Sequence, residues 1–251
     1  MHYPYFWCLM HEKPIIMKAY PNVLVLGDGL LGSHIISQTG WDYLSQEKDN
    51  IDVIEDFEGL AYLLDDIEPD LIVNCIGYTD TYDKERQNHW NLNYKFVVNL
   101  VDFCDNRDYG LVHISTDYIY ANSQGGFGEN DIPVHQETWY SYCKLLADAY
   151  MQLSMEDNFI DRLLIRCSFK PTPFPYEKAF VNVRGTFDYV DTIAEQIIEL
   201  IKEGRTGVWN IGTPSKTMVE LAKQTKPNVG EWYSDKLPSI ELDLTKFQNR
   251  K

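Results

Sequence analysis

Short apolar runs alternate with amphipathic stretches along most of the chain, a pattern that predicts strands exchanging with helices. Val23-Leu24-Val25-Leu26 is a four-residue apolar run ending on glycine, which suits a strand buried on both faces. A helical pattern follows over residues 30–39, and Gly40 supplies the stop. The spacing then predicts a strand at 42–46, a helix at 57–66, a strand at 71–75 and a long helix at 84–104. A strand at 111–114, a helix at 140–153 and a strand at 162–166 continue the alternation. Strands exchanging with helices in this way predict an α/β fold, a Rossmann-like doubly wound parallel sheet with helices on both faces.

The texture changes after Arg166. Residues 170–175 read KPTPFP, and three prolines in six positions exclude a helix interior or a central strand. Beyond them the pattern predicts a short strand at 187–190, then Asp191 as N-cap of an amphipathic helix at 192–202. A strand at 208–211 and a short helix at 219–224 follow. The chain thus divides into an extension (1–20), a nucleotide-binding domain (21–168) and a small C-terminal substrate lobe (169–251), with helix 192–202 packing back on the larger domain. The first twenty residues are aromatic-rich but interrupted by Pro4, His11, Glu12 and Lys13, unlike a signal peptide. They read as a docking arm around residues 3–7, with Met17 as an alternative start.

Gly27-Asp28-Gly29-Leu30-Leu31-Gly32 is a G-x-G-x-x-G placed directly between the first strand and the first helix. In such a turn the first glycine permits the bend and the second lets backbone approach a pyrophosphate. The third allows helix to pack closely on strand, and the helix N-terminus faces the anion. Gly27, Gly29, Leu30, Leu31 and Gly32 are therefore candidate dinucleotide contacts. At the end of the second strand an acidic residue would bind the ribose 2′-OH of NAD, and the sequence offers Glu47 between Ser45 and Lys48. Ser45 and Lys48 suit a 2′-phosphate, so NADP is favoured slightly over NAD; a merely solvated turn is the other reading.

Ser115-Thr116-Asp117-Tyr118 follows the strand at 111–114, and Tyr140-Ser141-Tyr142-Cys143-Lys144 lies 24 residues beyond Thr116. Positions i and i+4 share a helix face, so Tyr140 and Lys144 project together. Tyrosine, with a pKa of about 10, is a poor acid–base group near neutrality, and an ammonium beside it favours the phenolate. A hydroxyl such as Thr116 at a strand's carboxyl end is placed to orient a substrate carbonyl.

With the glycine turn, the strand-end Ser-Thr and the Tyr/Lys helix in this order, the chain resembles the extended short-chain dehydrogenase/reductases. Within them it resembles the dTDP-4-dehydrorhamnose reductase-like branch, over residues 23–245. Asn74-Cys75-Ile76-Gly77-Tyr78-Thr79-Asp80 looks like the family segment that runs past the cofactor, which implies cofactor contacts at Asn74, Cys75, Ile76 and Gly77. Asn91 and Asn93 stand where the family has a structural asparagine. Ser115 to Tyr120 is close to the branch's Ser-Thr-Asp-Tyr-Val-Phe run, whereas related dehydratases carry Asp-Glu after the threonine. Residues 164–166, 188–191 and 209–212 resemble later landmarks.

The resemblance implies catalytic Thr116, Tyr140 and Lys144, with Tyr140 and Lys144 also at the cofactor. It implies hydride transfer from NAD(P)H to the ketone of a nucleotide-linked 4-keto-6-deoxy sugar, with the proton from Tyr140. Substrate-contact candidates are Thr79, Asp117, Tyr118, Lys170 and Tyr176. Two departures stand out: only about 85 residues follow Arg166, and residues 167–180 lack the branch's usual residues. Lys170, Tyr176 and Lys178 could hold a diphosphate or form an ordinary solvated loop. The other functional readings are a dinucleotide-binding regulatory subunit without catalysis and a nucleotide-sugar epimerase.

Composition narrows the partners. A net charge of −16 argues against a broad phosphate-binding face and hence against nucleic acid, while 14% aromatic residues exclude disorder. No run of 18 apolar residues occurs, so no membrane span is expected. The cysteines at 8, 75, 104, 143 and 167 are scattered and suit reduced thiols in the cytoplasm. His34, His89 and His135 lack ligand spacing, so no metal is expected. His113 reads as a hydrogen-bonded structural histidine, Trp139 as cleft lining or core, and a homodimer is compatible with the sequence.

Overall fold

The computed structural model describes residues 20–121, 126–131, 133, 137–157 and 160–250. The extension at residues 1–19, Cys8 and His135 lie outside the described residues.

A six-stranded sheet is the frame. Its spatial order is Gly207–Asn210, Arg162–Cys167, Gly110–Thr116, Leu71–Asn74, Val23–Leu26, Asp42–Leu44, and every neighbouring pair is parallel. Alternation within the strands decides which helices cover each face. Val23, Val25, Val73, Val112, Ile114 and Ile165 face one core with Leu31 and Ile35 of the Leu30–Thr39 helix and the buried face of the Val190–Lys202 helix. Leu24, Leu26, Ile72, Leu111 and Leu164 face the other, with helices Phe57–Ile67, Phe96–Arg107 and Trp139–Asp157. Each fully buried Leu, Ile or Val contributes about 1.5–3 kcal/mol, so these two layers dominate the fold's stability. The strand order reverses between Val23–Leu26 and Leu71–Asn74, which places the glycine turn at the topological switch point.

The segment after residue 168 contributes to the main sheet and core as well as forming a small core of its own. Its Gly207–Asn210 strand completes the sheet beside Arg162–Cys167, and its Val190–Lys202 helix belongs to the first core. What remains of it forms a small core from Phe174, Ala179, Phe187, Tyr189, Val219, Leu221, Ala222 and Val229. Near the chain's end, Glu241–Leu242 pairs with Gly126–Phe127, so Leu242 and Leu244 pack on Tyr120 and Phe127.

Several boundaries differ from expectation for local reasons. The second strand stops at Leu44 because Ser45 caps a short helix, Gln46–Asp49, its hydroxyl accepting from Lys48 N–H at 3.3 Å. The long helix expected at 84–104 is a short turn, Arg86–Asn88, a π-helical stretch, His89–Lys95, and then Phe96–Arg107. Asp191 is not the N-cap: that position is Tyr189, and Asp191 lies in the first turn, where its charge suits the helix dipole.

Candidate functional site

The glycine turn shows three different steric demands. Gly27 has φ of +90°, and a Cβ there would lie 2.9 Å from Ile76 Cγ1. A Cβ on Gly32 would lie 1.9 Å from the Gly27 carbonyl oxygen and 3.4 Å from Cys75 Cβ. A Cβ on Gly29 would meet nothing within 4 Å, so the space before it is open. The helix beginning at Leu30 has no side-chain cap and no acidic residue in its first turn. The first N–H groups of such a helix have no intrahelical partners, and a diphosphate can occupy that position. Asn74, Cys75, Ile76 and Gly77 run past the same turn: Cys75 N–H donates to Leu26 O at 2.9 Å and Ile76 N–H to Asn74 Oδ1 at 3.0 Å. Leu30 is exposed and Leu31 buried, so they contribute backbone and packing respectively.

Ser45 and Lys48 come beside this turn, because Gly27 N–H donates to Leu44 O at 2.8 Å. Ser45 is buried and its hydroxyl is used as a cap, while its own N–H donates to Asp49 Oδ2 at 2.9 Å. Lys48 Nζ donates to Tyr43 O at 2.8 Å and lies over the Tyr43 ring, with half its side chain exposed. Its Nζ also lies 3.8 Å from Asp49 Oδ1.

Thr116, Tyr140 and Lys144 converge at the carboxyl edge of Gly110–Thr116. Thr116 closes the strand and its Oγ1 accepts from Tyr118 N–H at 3.1 Å. Tyr140 lies near the Thr116 hydroxyl, and its ring lies 6.1 Å from His89 and 6.3 Å from Tyr118. One turn on, Lys144 is buried and its Nζ donates to Ile114 O at 2.6 Å, with His113 Nε2 at 3.2 Å. Burial lowers the Lys144 ammonium to about 8, with Asp148 pulling upward. Burial also pushes the Tyr140 phenol above its ordinary value, with the Thr116 hydroxyl opposing. The expectation that the ammonium brings the phenol down is thus not met, because Lys144 turns toward the strand.

Among the substrate-contact candidates, Asp117 and Tyr118 lie beside Thr116, and Lys170 faces Asp117 from the Phe169–Lys170 strand. Asp117 is buried, which raises its carboxyl to about 7, with Lys170 and the Thr116 hydroxyl opposing. Tyr118 and Tyr82 join their hydroxyls across the site rim. Thr79 is exposed on the segment after the cofactor strand. Tyr176 packs its ring on Phe174 and its carbonyl accepts from Lys226 Nζ, contacts within the small C-terminal core's surroundings rather than at Thr116. Lys178 lies over the Trp232 ring. Trp139 is exposed with Arg86 over its ring, so it is not core.

Sequence reasoning placed a structural asparagine at Asn91 or Asn93 but not what it holds, nor its neighbour His89. Asn93 clamps Tyr78, accepting from its N–H and donating to its carbonyl, each at 2.8 Å, while Asn91 accepts from Gln87 at the helix surface. The π-helical stretch aims His89 and Asn93 inward together, and no spacing rule in the sequence announces such a stretch. No group of three or more metal-ligating side chains occurs among the described residues, and no helix there is long and apolar enough to cross a membrane.

A parallel sheet with a ligand-ready glycine turn at its switch point defines a Rossmann-type α/β protein, with a Thr/Tyr/Lys group at the same edge. Residues 21–169 match the family described as the RmlD substrate binding domain, and the chain belongs to that family. A probable low-salt glycan biosynthesis reductase of Haloferax volcanii is 29% identical over 152 residues, covering 57% of this chain and 46% of that protein. The chain thus spans about half the length of the curated relative it matches. A hypothetical dTDP-4-dehydrorhamnose reductase from Sulfolobus tokodaii shares the fold with a TM-score of 0.74 at 22% identity, covering 90% of this chain and 93% of that one. The Bacillus anthracis dTDP-4-dehydrorhamnose reductase, solved in complex with NADP, also superposes with a TM-score of 0.74, at 18% identity and 90% coverage of both chains.

Proposed function

We propose that the protein is an NAD(P)H-dependent reductase of a nucleotide-linked 4-keto-6-deoxy sugar. The observation that carries this reading is the convergence of Thr116, Tyr140 and Lys144 at the sheet's carboxyl edge, beside an uncapped helix N-terminus with open space before Gly29. Gly29 and the first N–H groups after it would hold the pyrophosphate, and Lys48 a 2′-phosphate. A bound reduced nicotinamide supplies the hydride for the ketone carbon. Thr116 then orients the carbonyl oxygen and Tyr140, held protonated by its burial, gives that oxygen its proton. Lys144 is the group placed to return a proton to this end of the site. Asp117, Tyr118 and Lys170 border the position a sugar would occupy, and membership of the RmlD substrate binding domain family favours a sugar nucleotide.

The test is cofactor consumption with a dTDP-linked 4-keto-6-deoxy sugar, run with NADH and NADPH in parallel. One reduced cofactor oxidised per ketone lost supports the reading. Conversion without net consumption identifies an epimerase instead. Tight dinucleotide binding with no turnover on any ketone identifies the non-catalytic subunit.

A further inference from the structure

Residues 78–85 lead from the cofactor segment to the Arg86–Asn88 turn, and side-chain hydrogen bonds hold them in one shape. Asn93 clamps the Tyr78 backbone N–H and carbonyl at 2.8 Å each, and the Tyr78 ring packs 4.9 Å from that of His89. The Tyr78 hydroxyl donates to Asp83 Oδ2 at 2.5 Å, while Asp83 Oδ1 accepts from Glu85 N–H at 2.9 Å. Asp80 accepts from Tyr82 N–H at 3.3 Å through its side chain and from Asp83 N–H at 3.2 Å through its carbonyl. Tyr82 is thereby carried on a preorganised strap. The residue is 56% exposed, yet its hydroxyl turns to meet that of Tyr118. The two rings stand at 89° with centroids 6.2 Å apart, and the Tyr118 ring lies 6.3 Å from that of Tyr140. A row of three tyrosines thus runs from Tyr140 beside Thr116 out to the surface.

A bond between two hydroxyls at a wet rim adds little stability, because water serves an exposed phenol nearly as well. Its consequence is chemical. Either phenol can be the donor, so the pair uses one of its two hydroxyl hydrogens and leaves the other for a ligand. Burial, together with the Tyr82 bond, raises the Tyr118 phenol, which therefore keeps its proton. We propose that Tyr82 is a specificity-determining residue: with Tyr118 it forms a two-phenol clasp for the ring hydroxyl next to the ketone of the sugar. This rests on the reductase reading above, which places the ketone at Thr116 and Tyr140. Of the two carbons flanking the ketone in a 4-keto-6-deoxy sugar, one bears a hydroxyl and the other the methyl group. Two phenol hydroxyls match the first and would be left unpaired against the second. Exchange of the hydroxyl–hydroxyl bond for bonds to the sugar requires no new ordering of the strap.

The test crosses the protein's hydroxyl with the substrate's. Reduction of a dTDP-linked 4-keto-6-deoxy sugar and of its 3-deoxy analogue is measured with the full-length wild type and with Tyr82→Phe. Tyr82 lies at the surface, so the variant should keep its fold and its dinucleotide affinity. On the 3-hydroxy sugar Tyr82→Phe should lose about 3–10-fold in kcat/KM, carried by KM, with kcat within about twofold. On the 3-deoxy sugar the two proteins should agree within about twofold, so the variant discriminates less. Equal losses on both sugars, a loss confined to kcat, or no change on either overturns the proposal, since a merely structural strap acts on both sugars alike. The same cross is read without turnover by calorimetry, using dTDP-linked 6-deoxy and 3,6-dideoxy sugars with saturating dinucleotide. A Tyr82 effect confined to the 3-hydroxy sugar, in a protein that reduces no ketone, rejects the reductase reading and leaves the clasp standing. Equal binding of both sugars by both proteins overturns the clasp alone, and binding of neither overturns both.

Discussion

Gly29 and Gly32 lie three positions apart in one turn, yet they are glycine for different reasons. Gly32 is required by the fold, since a Cβ would press on the Gly27 carbonyl. Gly32→Ala should lower stability by about 1–3 kcal/mol in denaturant unfolding. Gly29 is open in front and its φ of −62° suits alanine. Gly29→Ala should leave stability within about 0.5 kcal/mol of wild type while weakening dinucleotide binding in calorimetry. Loss of stability with unchanged binding would contradict the assignment. Asp117 gives a pH signature at the same scale. Its folded carboxyl, near 7, lies above its ordinary value, so the native state binds the extra proton and stability falls as pH rises from about 4 through 7. Asp117→Asn should flatten this slope, gaining stability at pH 8 and little at pH 4. The glycine spacing and the Tyr140/Lys144 interval were legible because each is local in the sequence. The Lys144 orientation was not, since it depends on which strand carbonyl and ring the amine meets.

The Trp139–Asp157 helix does more than present Tyr140 and Lys144. Its Asp148 accepts from Arg166 Nε at 3.0 Å, and Arg166 also donates to Tyr120 Oη at 2.7 Å and to Glu129 O at 3.0 Å. This buried set ties the helix to its sheet neighbour and to the segment that packs on Leu242. Asp148→Ala would leave the Arg166 charge buried without its partner, and should cost about 3–5 kcal/mol by denaturant unfolding. A change under 1 kcal/mol would show that the pair is not what fixes the helix. Arg166 was visible in the sequence as a landmark after an apolar strand, but its partner 18 residues earlier was not. Strand and helix types were readable from periodicity almost throughout. The failures came where a side chain overrides the pattern, as with Ser45 ending a strand, or where hydrogen bonding changes pitch, as at His89–Lys95.

Across the whole molecule, the short C-terminal third serves the sheet as much as the substrate. The pattern suggested a boundary near residue 168, because proline-rich sequence follows it and short strands carry little periodicity. Across that boundary the Val190–Lys202 helix packs on the main core, as its amphipathic pattern suggested, and Gly207–Asn210 joins the main sheet, which the pattern did not announce. A chain ending at residue 168 would uncover Ile193, Ile197 and Ile201's packing partners and should lack the near-ultraviolet circular dichroism of a fixed core. A truncated protein that unfolds cooperatively would contradict this. The central claim joins the open glycine turn to the Thr116, Tyr140 and Lys144 edge as one reducing site. Its most direct measurement is the rate of NAD(P)H oxidation with a dTDP-linked 4-keto-6-deoxy sugar by wild-type protein and by Tyr140→Phe. The account predicts stoichiometric oxidation by the wild type and a fall of about 10²–10⁴-fold in the variant, with dinucleotide binding retained. Full turnover by Tyr140→Phe, or none by the wild type, would contradict it.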